Sequence, residues 1–538
     1  MPVNSSVRSG EAARRRRTWR RFIPAAIFVI LGGVAYWQTH KSLPDGVRLA
    51  GAWVSVPTRD IHFIADITAA DAYGRPVVSQ AIFDETLRIV RAARHFLVID
   101  YFLFNDHHLG TPQPDLPMRA LSHELRDALI EQRTAYPQLR VLLITDPINE
   151  IYGGAPSSDL KLLRAAGVDV VTTNLDVLRD SNFIYSSLWR LLLGWWSGSG
   201  EGSGWLPNPL ATEPPKVTFR ALARLANFKA NHRKVIIADD GESGIVGLVT
   251  SANPHDASSA HSNVAVRVSG AVLEPLLDSE LDIARFSGWK EKWSASELVS
   301  QVTATADARS EQPPTTPPRI GPPAAEVPTR SAEISSDGTV ARARFLTEGA
   351  IRDALLEQIG GAVEGDSIDV AMFYIADRST VEALLAAEER GVAVRLILDP
   401  NKDAFGRTKS GIPNRPVASE LVASSDGNIR IRWYRTHGEQ FHTKMVMVYG
   451  PDRTWITLGS ANLTRRNIGD YNLEANIAIE VARGSELALQ TLNYFDTLWH
   501  NRASLGIEYT ADFGVYADPA QSRYWLYRLM EGAGLSTF

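Results

Sequence analysis

Two long stretches of the chain repeat one order of hydrophobic and polar positions. Each opens on a helical period that runs into an apolar segment, IFDETLRIVRAARHFLVIDYFLF at 82–104 and IRDALLEQIGGAVEGDSIDVAMFYI at 351–375. Each continues through a second helical pattern to a strand closed by Asp-Pro, LRVLLITDP at 139–147 and VAVRLILDP at 392–400. A further strand follows in both, VDVVTTN at 168–174 and IRIRWYR at 429–435. Continuous apolar strands alternating with helices predict a sheet covered on both faces. The expected fold is therefore α/β. Two duplicated lobes, each a mostly parallel mixed sheet flanked by helices, pack about a pseudo-twofold axis with a site between them.

Outside the repeats the pattern changes. Residues 22–37, FIPAAIFVILGGVAYW, carry no charge. The run is a little shorter than the roughly 20 residues that cross a bilayer, and Gln38 and Thr39 extend it. Tyr36 and Trp37 suit the aromatic belt of a membrane boundary. An arm with Arg8, the run 14–17, Arg20 and Arg21 precedes it. By the positive-inside rule the arm stays cytoplasmic and the remainder lies outside the cytoplasm, on the periplasmic side of a bacterial inner membrane. A signal peptide cut near Gly33 or Ala35 is the rival reading. The expected organisation is a basic arm at 1–21, an anchor at 22–39, a first lobe at 46–300, a Pro/Ser/Thr-rich linker at 301–338 and a second lobe with its tail at 339–538.

The first lobe alone carries an insertion, 175–230, with the Trp-rich stretch SSLWRLLLGWWSGSGEGSGWLP. Its bland reading is packing over the core; its sharper reading is a membrane-contacting flap in which Trp189, Trp195 and Trp196 meet lipid.

A chain of 538 residues is long enough for two cores. It has no cysteine, which excludes disulfides, thiolate catalysis and cysteine-held metals. The net charge of −5 hides the basic arm, so the globular part is acidic. A nucleic-acid groove would need clustered basic and aromatic residues instead.

The candidate chemistry is duplicated too. NHRKVIIAD supplies His232, Lys234 and Asp239, and FHTKMVMVY supplies His442 and Lys444. His and Lys two apart on a strand share a face. Ser251 and Asn253 follow the first pair, Ser460 and Asn462 the second, with Asn253 21 residues past His232 and Asn462 20 past His442. Asn263 and Asn472 then stand at nearly equivalent places. One His-x-Lys says little; two with matching sequels say much.

This constellation resembles the phospholipase D superfamily, whose repeated signature is His-x-Lys-x4-Asp followed by Gly-Ser-x-Asn. The resemblance covers residues 82–289 and 351–499 and implies one site built from both halves. Lys234, Lys444, Asn253 and Asn462 would cradle an anionic phosphodiester without metal or cofactor. One histidine would attack phosphorus while the other protonates the leaving alcohol. The chain departs from the pattern at Tyr449, where the family has Asp. Glu474 has no acidic counterpart in Asn263-Val264-Ala265. Carried over from the family, Glu474 would orient His232, making His232 the nucleophile and His442 the general acid and then base. Asp239, Ser251 and Ser460 are expected to be supporting residues.

Asp100, Asp146, Asp369 and Asp399 are expected to be turn-forming or sheet-end residues. Arg465 and Arg466 are expected to be solvated at the surface rather than set against a headgroup.

The reaction expected is phosphatidyl transfer from a membrane phospholipid to water, an alcohol or another lipid, in the manner of phospholipase D or a bacterial cardiolipin synthase. A nuclease of the same superfamily is the second reading, and an inactive membrane-tethered lipid-binding scaffold the third. With both halves in one chain, a monomer suffices for the site, and no nucleic-acid partner is expected.

Overall fold

The computed structural model describes residues 5–107, 116–196, 204–209, 216–310, 340–404, 407–502 and 506–535. Its two large sheets grow from the two repeats. The first runs, edge to edge, through Ile61–Asp66, Asn263–Ser269, Ile245–Thr250, Lys234–Asp239, Phe96–Tyr101, Arg140–Thr145 and Asp169–Thr172. The second keeps that order with Val340–Thr347, Ala475–Ala482, Arg453–Gly459, Lys444–Tyr449, Ser367–Met372, Ala393–Leu398 and Arg430–Tyr434. It adds one strand at each edge, Val54–Pro57 and Thr510–Asp512. Val54–Pro57 precedes every strand of the first sheet yet pairs antiparallel with Val340–Thr347. The stretch expected to be the first lobe thus gives its opening strand to the second sheet.

The sheets are mixed, and the expectation that they are mostly parallel is corrected. Among the described residues, parallel pairing is confined to three neighbouring strands in each, beginning at Phe96, Arg140 and Asp169 and at Ser367, Ala393 and Arg430. Those strands are joined by helices, such as Leu121–Ala135 and Arg378–Glu389, and a helical crossover returns the chain in the same direction. The His-x-Lys strands and their successors are joined by short turns, which reverse it.

Alternate residues of each strand face two cores. Phe96, Val98, Val235, Val249 and Val264 meet Ala371, Met445, Met447, Leu458 and Ile477 between the sheets. Leu97, Ile99, Ile236 and Leu248 pack outward on helices Ala81–Ala92 and Leu121–Ala135. Ile368, Val370, Leu396 and Val446 do the same in the second lobe. Helices Glu274–Phe286 and Glu486–His500 contribute to the middle layer, so the order is helices, sheet, sheet, helices.

The arm and the apolar run form one helix, Ser5–His40, of 36 residues or about 54 Å. Its segment Ile23–His40, with mean hydropathy 1.2, is long and apolar enough to span a membrane. Helix Ala295–Ser310 runs on past the expected start of the linker, whose remainder, 311–338, lies outside the described residues.

Candidate active site

The segments that precede each His-x-Lys strand cross between the lobes. Asn231 bridges to Leu473, and Phe441 bridges to Ser262 in return. The His232 amide donates to the Leu473 carbonyl at 2.8 Å, and the Ser262 amide to the Gln440 carbonyl at 3.0 Å. Such reciprocal exchange is how two like surfaces meet. It sets each histidine against the other lobe's strand.

His232 Nδ1 lies 2.9 and 3.0 Å from the two carboxylate oxygens of Glu474. An ionised carboxylate only accepts, so Nδ1 carries the hydrogen and Nε2 keeps the lone pair. Glu474 also accepts from Ser460 and Asn467. These donors and the histidine hold its carboxyl below the usual range although burial opposes them. In the other half, His442 Nδ1 stands 3.1 Å from Asn263 Oδ1. Asn263 is fixed by Ser251, which donates to its Oδ1 at 2.9 Å, and by the His261 carbonyl, which accepts from its Nδ2 at 3.0 Å. His442 is therefore also a Nδ1–H tautomer. Each ring meets a phenylalanine at a steep angle, Phe102 at 4.8 Å and Phe373 at 4.9 Å between centroids.

This geometry corrects the register taken from the sequence. Asn263 is the counterpart of Glu474, not of Asn472. The Ser251 amide bonds to the carbonyl of Val264 and the Ser460 amide to that of Ala475, so the residues just before them correspond. The counterpart of Asn472 is His261: Asn472 Oδ1 accepts from the Ala230 amide at 3.1 Å and His261 Nδ1 from the Gln440 amide at 3.3 Å. A loop two residues longer after Asn462 than after Asn253 hid this.

Lys234 and Lys444 are buried, and each donates to the carbonyl of its own histidine, at 2.7 and 2.9 Å. Burial pulls Lys234 down to about 7, and burial with the neighbouring Lys234 pulls Lys444 well below its usual value. Burial takes His232 to about 4 against the pull of Glu474, and takes His442 well down. Two ammonium groups held together out of water favour a bound anion, which would restore their protons.

One cavity of about 440 Å³ is lined by His232, His442, Asn253 and Asn462 together. Asn253 Oδ1 accepts from the Leu103 amide at 3.2 Å, leaving its amide hydrogens for the cavity. Ser251 and Ser460 lie behind the wall and act through Asn263 and Glu474. Sequence reasoning missed several wall residues: Lys409, His261, Asn472, and Phe228 and Lys229 from the end of the insertion. Arg466 is another, and here the expectation of surface solvation is corrected, since it is 6% exposed. No local motif marks these positions; only the fold gathers them.

Asp239 is a brace at the far end of its strand. Its carboxylate accepts from the amides of Arg94, His95, Phe96 and Gly241 at 2.8 to 3.1 Å. Tyr449 stands at the matching end, buried, with its hydroxyl on Met447 Sδ. Asp146 and Asp399 do more than end strands. They accept from the amides of Asn231 and Phe441, 2.7 and 2.8 Å away, and so fix the residue before each histidine. Asp100 takes the Asn231 side-chain amide at 2.8 Å, and Asp369 takes Arg395 at 2.7 Å.

Arg233, wholly buried, joins Glu280 at 3.2 Å to Glu348 at 2.8 Å, and Glu348 accepts from the Glu474 amide at 3.0 Å. A buried ion network thus supports the carboxylate that faces His232.

The Trp-rich insertion divides. Trp189 is 4% exposed and packs inside it, which removes Trp189 from the expected lipid contacts, whereas Trp195 is 85% exposed. The Trp196 side chain lies outside the described residues. Ile184, Leu188 and Leu192 are exposed on the short apolar stretch Phe183–Leu193, whose first helix packs along the long N-terminal helix.

Residues 355–499 match the family model for a cardiolipin synthase, phospholipase D-like domain. No curated protein matches the chain. Among solved structures, the phosphatidylserine synthase of Haemophilus influenzae Rd KW20 aligns over 94% of this chain and 98% of its own, with a TM-score of 0.52 at 11% identity. That likeness shows the fold, two large mixed sheets flanked by helices. The phospholipase D family member Nuc of Salmonella typhimurium aligns over 29% of this chain and 95% of its own, with a TM-score of 0.23 at 20% identity.

Proposed function

With the chain assigned to the phospholipase D superfamily through the match of its second lobe, we propose that it transfers phosphatidyl groups through a phosphohistidine. The carrying observation is the convergence of His232 and His442, each steered by the other lobe, on one cavity with two buried lysines behind them. The diester phosphate sits between Lys234 and Lys444, with the amides of Asn253 and Asn462 on its free oxygens. The His232 Nε2 lone pair attacks phosphorus. The bond to the leaving alcohol breaks, and His442, protonated once the anionic substrate is bound, gives that oxygen its proton. Water or an alcohol then attacks the phosphohistidine while His442 takes the incoming proton, and His232 leaves with its lone pair restored.

Glu474 stabilises the charge that develops on His232, in the manner of the orienting acid of a triad. This asymmetry supports His232 as nucleophile, because Asn263 offers His442 no negative charge.

A lipid substrate is favoured by the cavity wall. Phe102, Leu103, Ile148, Leu225 and Phe228 give the cavity apolar wall beside its histidines and asparagines, which suits a molecule with a charged head and a hydrocarbon body. The helix containing Ile23–His40 would anchor the enzyme at its substrate's surface, with the lobes outside the cytoplasm.

The test is product analysis with the full-length protein in phosphatidylglycerol vesicles, with chelator and with or without added glycerol. Phosphatidic acid or transfer products that depend on His232 are expected. Preferential degradation of single-stranded nucleic acid, or tight vesicle binding with no product, would replace this reading with the nuclease or the scaffold.

A further inference from the structure

Beside the catalytic cavity, at the end of the N-terminal helix, lies a second one of about 470 Å³. Thr39 and His40 form one side, and five arginines, Arg179, Arg352, Arg378, Arg465 and Arg528, are on its wall. All five are half-buried. Arg179 is paired with Asp470 at 3.1 Å, and Arg378 with Glu420 at 2.6 Å and Glu382 at 2.8 Å. Arg352, Arg465 and Arg528 have no acidic partner within salt-bridge distance among the described residues.

The acids of the wall are already engaged. Asp377 caps the helix beginning at Arg378, Glu531 accepts from the Arg465 amide, and Asp470 is shared by Arg48, Arg179 and the Gly349 amide. Arg465 donates to the Tyr471 hydroxyl at 2.6 Å and to the Ser181 carbonyl, and Arg528 donates to the Tyr524 hydroxyl at 2.7 Å, so three guanidinium groups line a concave space without a salt bridge of their own among the described residues. Planar guanidinium forks match phosphate oxygens two at a time.

Position supplies the rest of the argument. Tyr36 and Trp37, 69% and 67% exposed, stand one turn before His40, and Tyr36 stacks on His40 at 4.4 Å. Exposed Tyr and Trp at the end of an apolar helix mark the depth of lipid headgroups. The arginine cavity begins at that depth.

We propose that this cavity is a second lipid site, which holds the phosphate of an anionic glycerophospholipid and is separate from the catalytic cavity. Its occupant bears directly on the chemistry next door. Arg465 lines the arginine cavity and its neighbour Arg466 lines the catalytic one, both on the single helical turn Arg465–Ile468 that follows Asn462. An anion that orders Arg465 therefore orders a wall of the catalytic site. The arginines of the wall favour an anionic headgroup at the second site, because their guanidinium groups match its phosphate oxygens.

The test counts bound lipid on the full-length chain in detergent, in a His232→Ala background that cannot turn it over. Dihexanoyl-phosphatidylglycerol is titrated and followed by calorimetry and native mass spectrometry. Two lipids per chain are expected. The added pair Arg352→Ala and Arg528→Ala should remove one of them, weakening that event about 30-fold, as two juxtamembrane cations are worth. Arg352→Lys with Arg528→Lys keeps charge but loses the forks, and should fall between; its unchanged melting temperature guards against misfolding as the explanation.

Retention of both lipids by the alanine pair overturns the site. Equal binding of dihexanoyl-phosphatidylcholine overturns recognition of the anion, and displacement by equimolar inorganic phosphate makes free phosphate the ligand instead. Should the lipid-transfer reading fail, the event lost is the one independent of Arg352 and Arg528, so the two failures are told apart.

Discussion

The two halves of the active site share a backbone and differ in one functional group. In each half a strand-end aspartate holds the amide of the residue before the histidine, the imidazole meets a phenylalanine ring, its carbonyl accepts from its own lysine, and Nδ1 turns toward the opposite lobe. Facing His232 is a buried carboxylate; facing His442 is an amide of nearly the same shape. Both fix the tautomer. Only the carboxylate also stabilises positive charge on the ring. The comparison teaches that geometry in this site is symmetric while electrostatics is not, and a division of labour between two like residues needs nothing more.

The strongest way to break that comparison is to remove each histidine in turn. His232→Ala should lower turnover by about 10⁵-fold or more and abolish any phosphoenzyme. His442→Ala should slow turnover severely too, yet leave a trapped phosphohistidine detectable with labelled lipid. Label trapped only in the His232→Ala protein would reverse the roles. Next in size is Glu474→Gln, expected to cost about 10³- to 10⁴-fold in kcat, as loss of a triad acid does. Asn263→Ala should cost far less, on the order of tenfold, because it removes an orienting bond without removing charge. Equal losses would mean that the carboxylate has no electrostatic role.

A gentler probe is pH. Burial lowers Lys234 to about 7, and burial with Lys234 nearby holds Lys444 well below its usual value. A bound phosphate analogue raises both, so binding takes up protons at pH 8 and weakens as pH rises above about 7. Each proton taken up contributes about one power of ten per pH unit. Titration of tungstate in buffers of different ionisation enthalpy measures that uptake. Zero uptake would show the lysines already charged.

The smallest effects lie at the far ends of the two His-x-Lys strands. Asp239→Ala strips the acceptor from four backbone amides and should lower stability by about 3 kcal/mol with little change in kcat per folded enzyme. Tyr449→Phe, which loses a hydroxyl set against Met447 Sδ and Thr491, should change stability by about 1 kcal/mol or less. A large activity loss from either would contradict their distance from the cavity.

Much of this was legible in the chain. The repeated strand order and the paired His-x-Lys segments follow from patterns that recur at matched spacing, and the pairing of Glu474 with His232 came from the family resemblance. Strand direction was misread because continuous apolar strands look alike whether a helix or a tight turn joins them. The register of Asn263 slipped because conservation of residue type was followed instead of the backbone bond that fixes Val264 opposite Ser251. Lys409, Arg466 and the arginine cavity were invisible for a different reason. They come from separate elements that only tertiary packing brings together, and Arg466 looks on paper like any surface cation.

The partner of His232 lies 242 residues further along the chain. On the roles proposed above, the first lobe emerges during synthesis with its nucleophile but without the acid that orients it. A chain still short of residue 474 is then expected to be silent, and products truncated before it to be inactive.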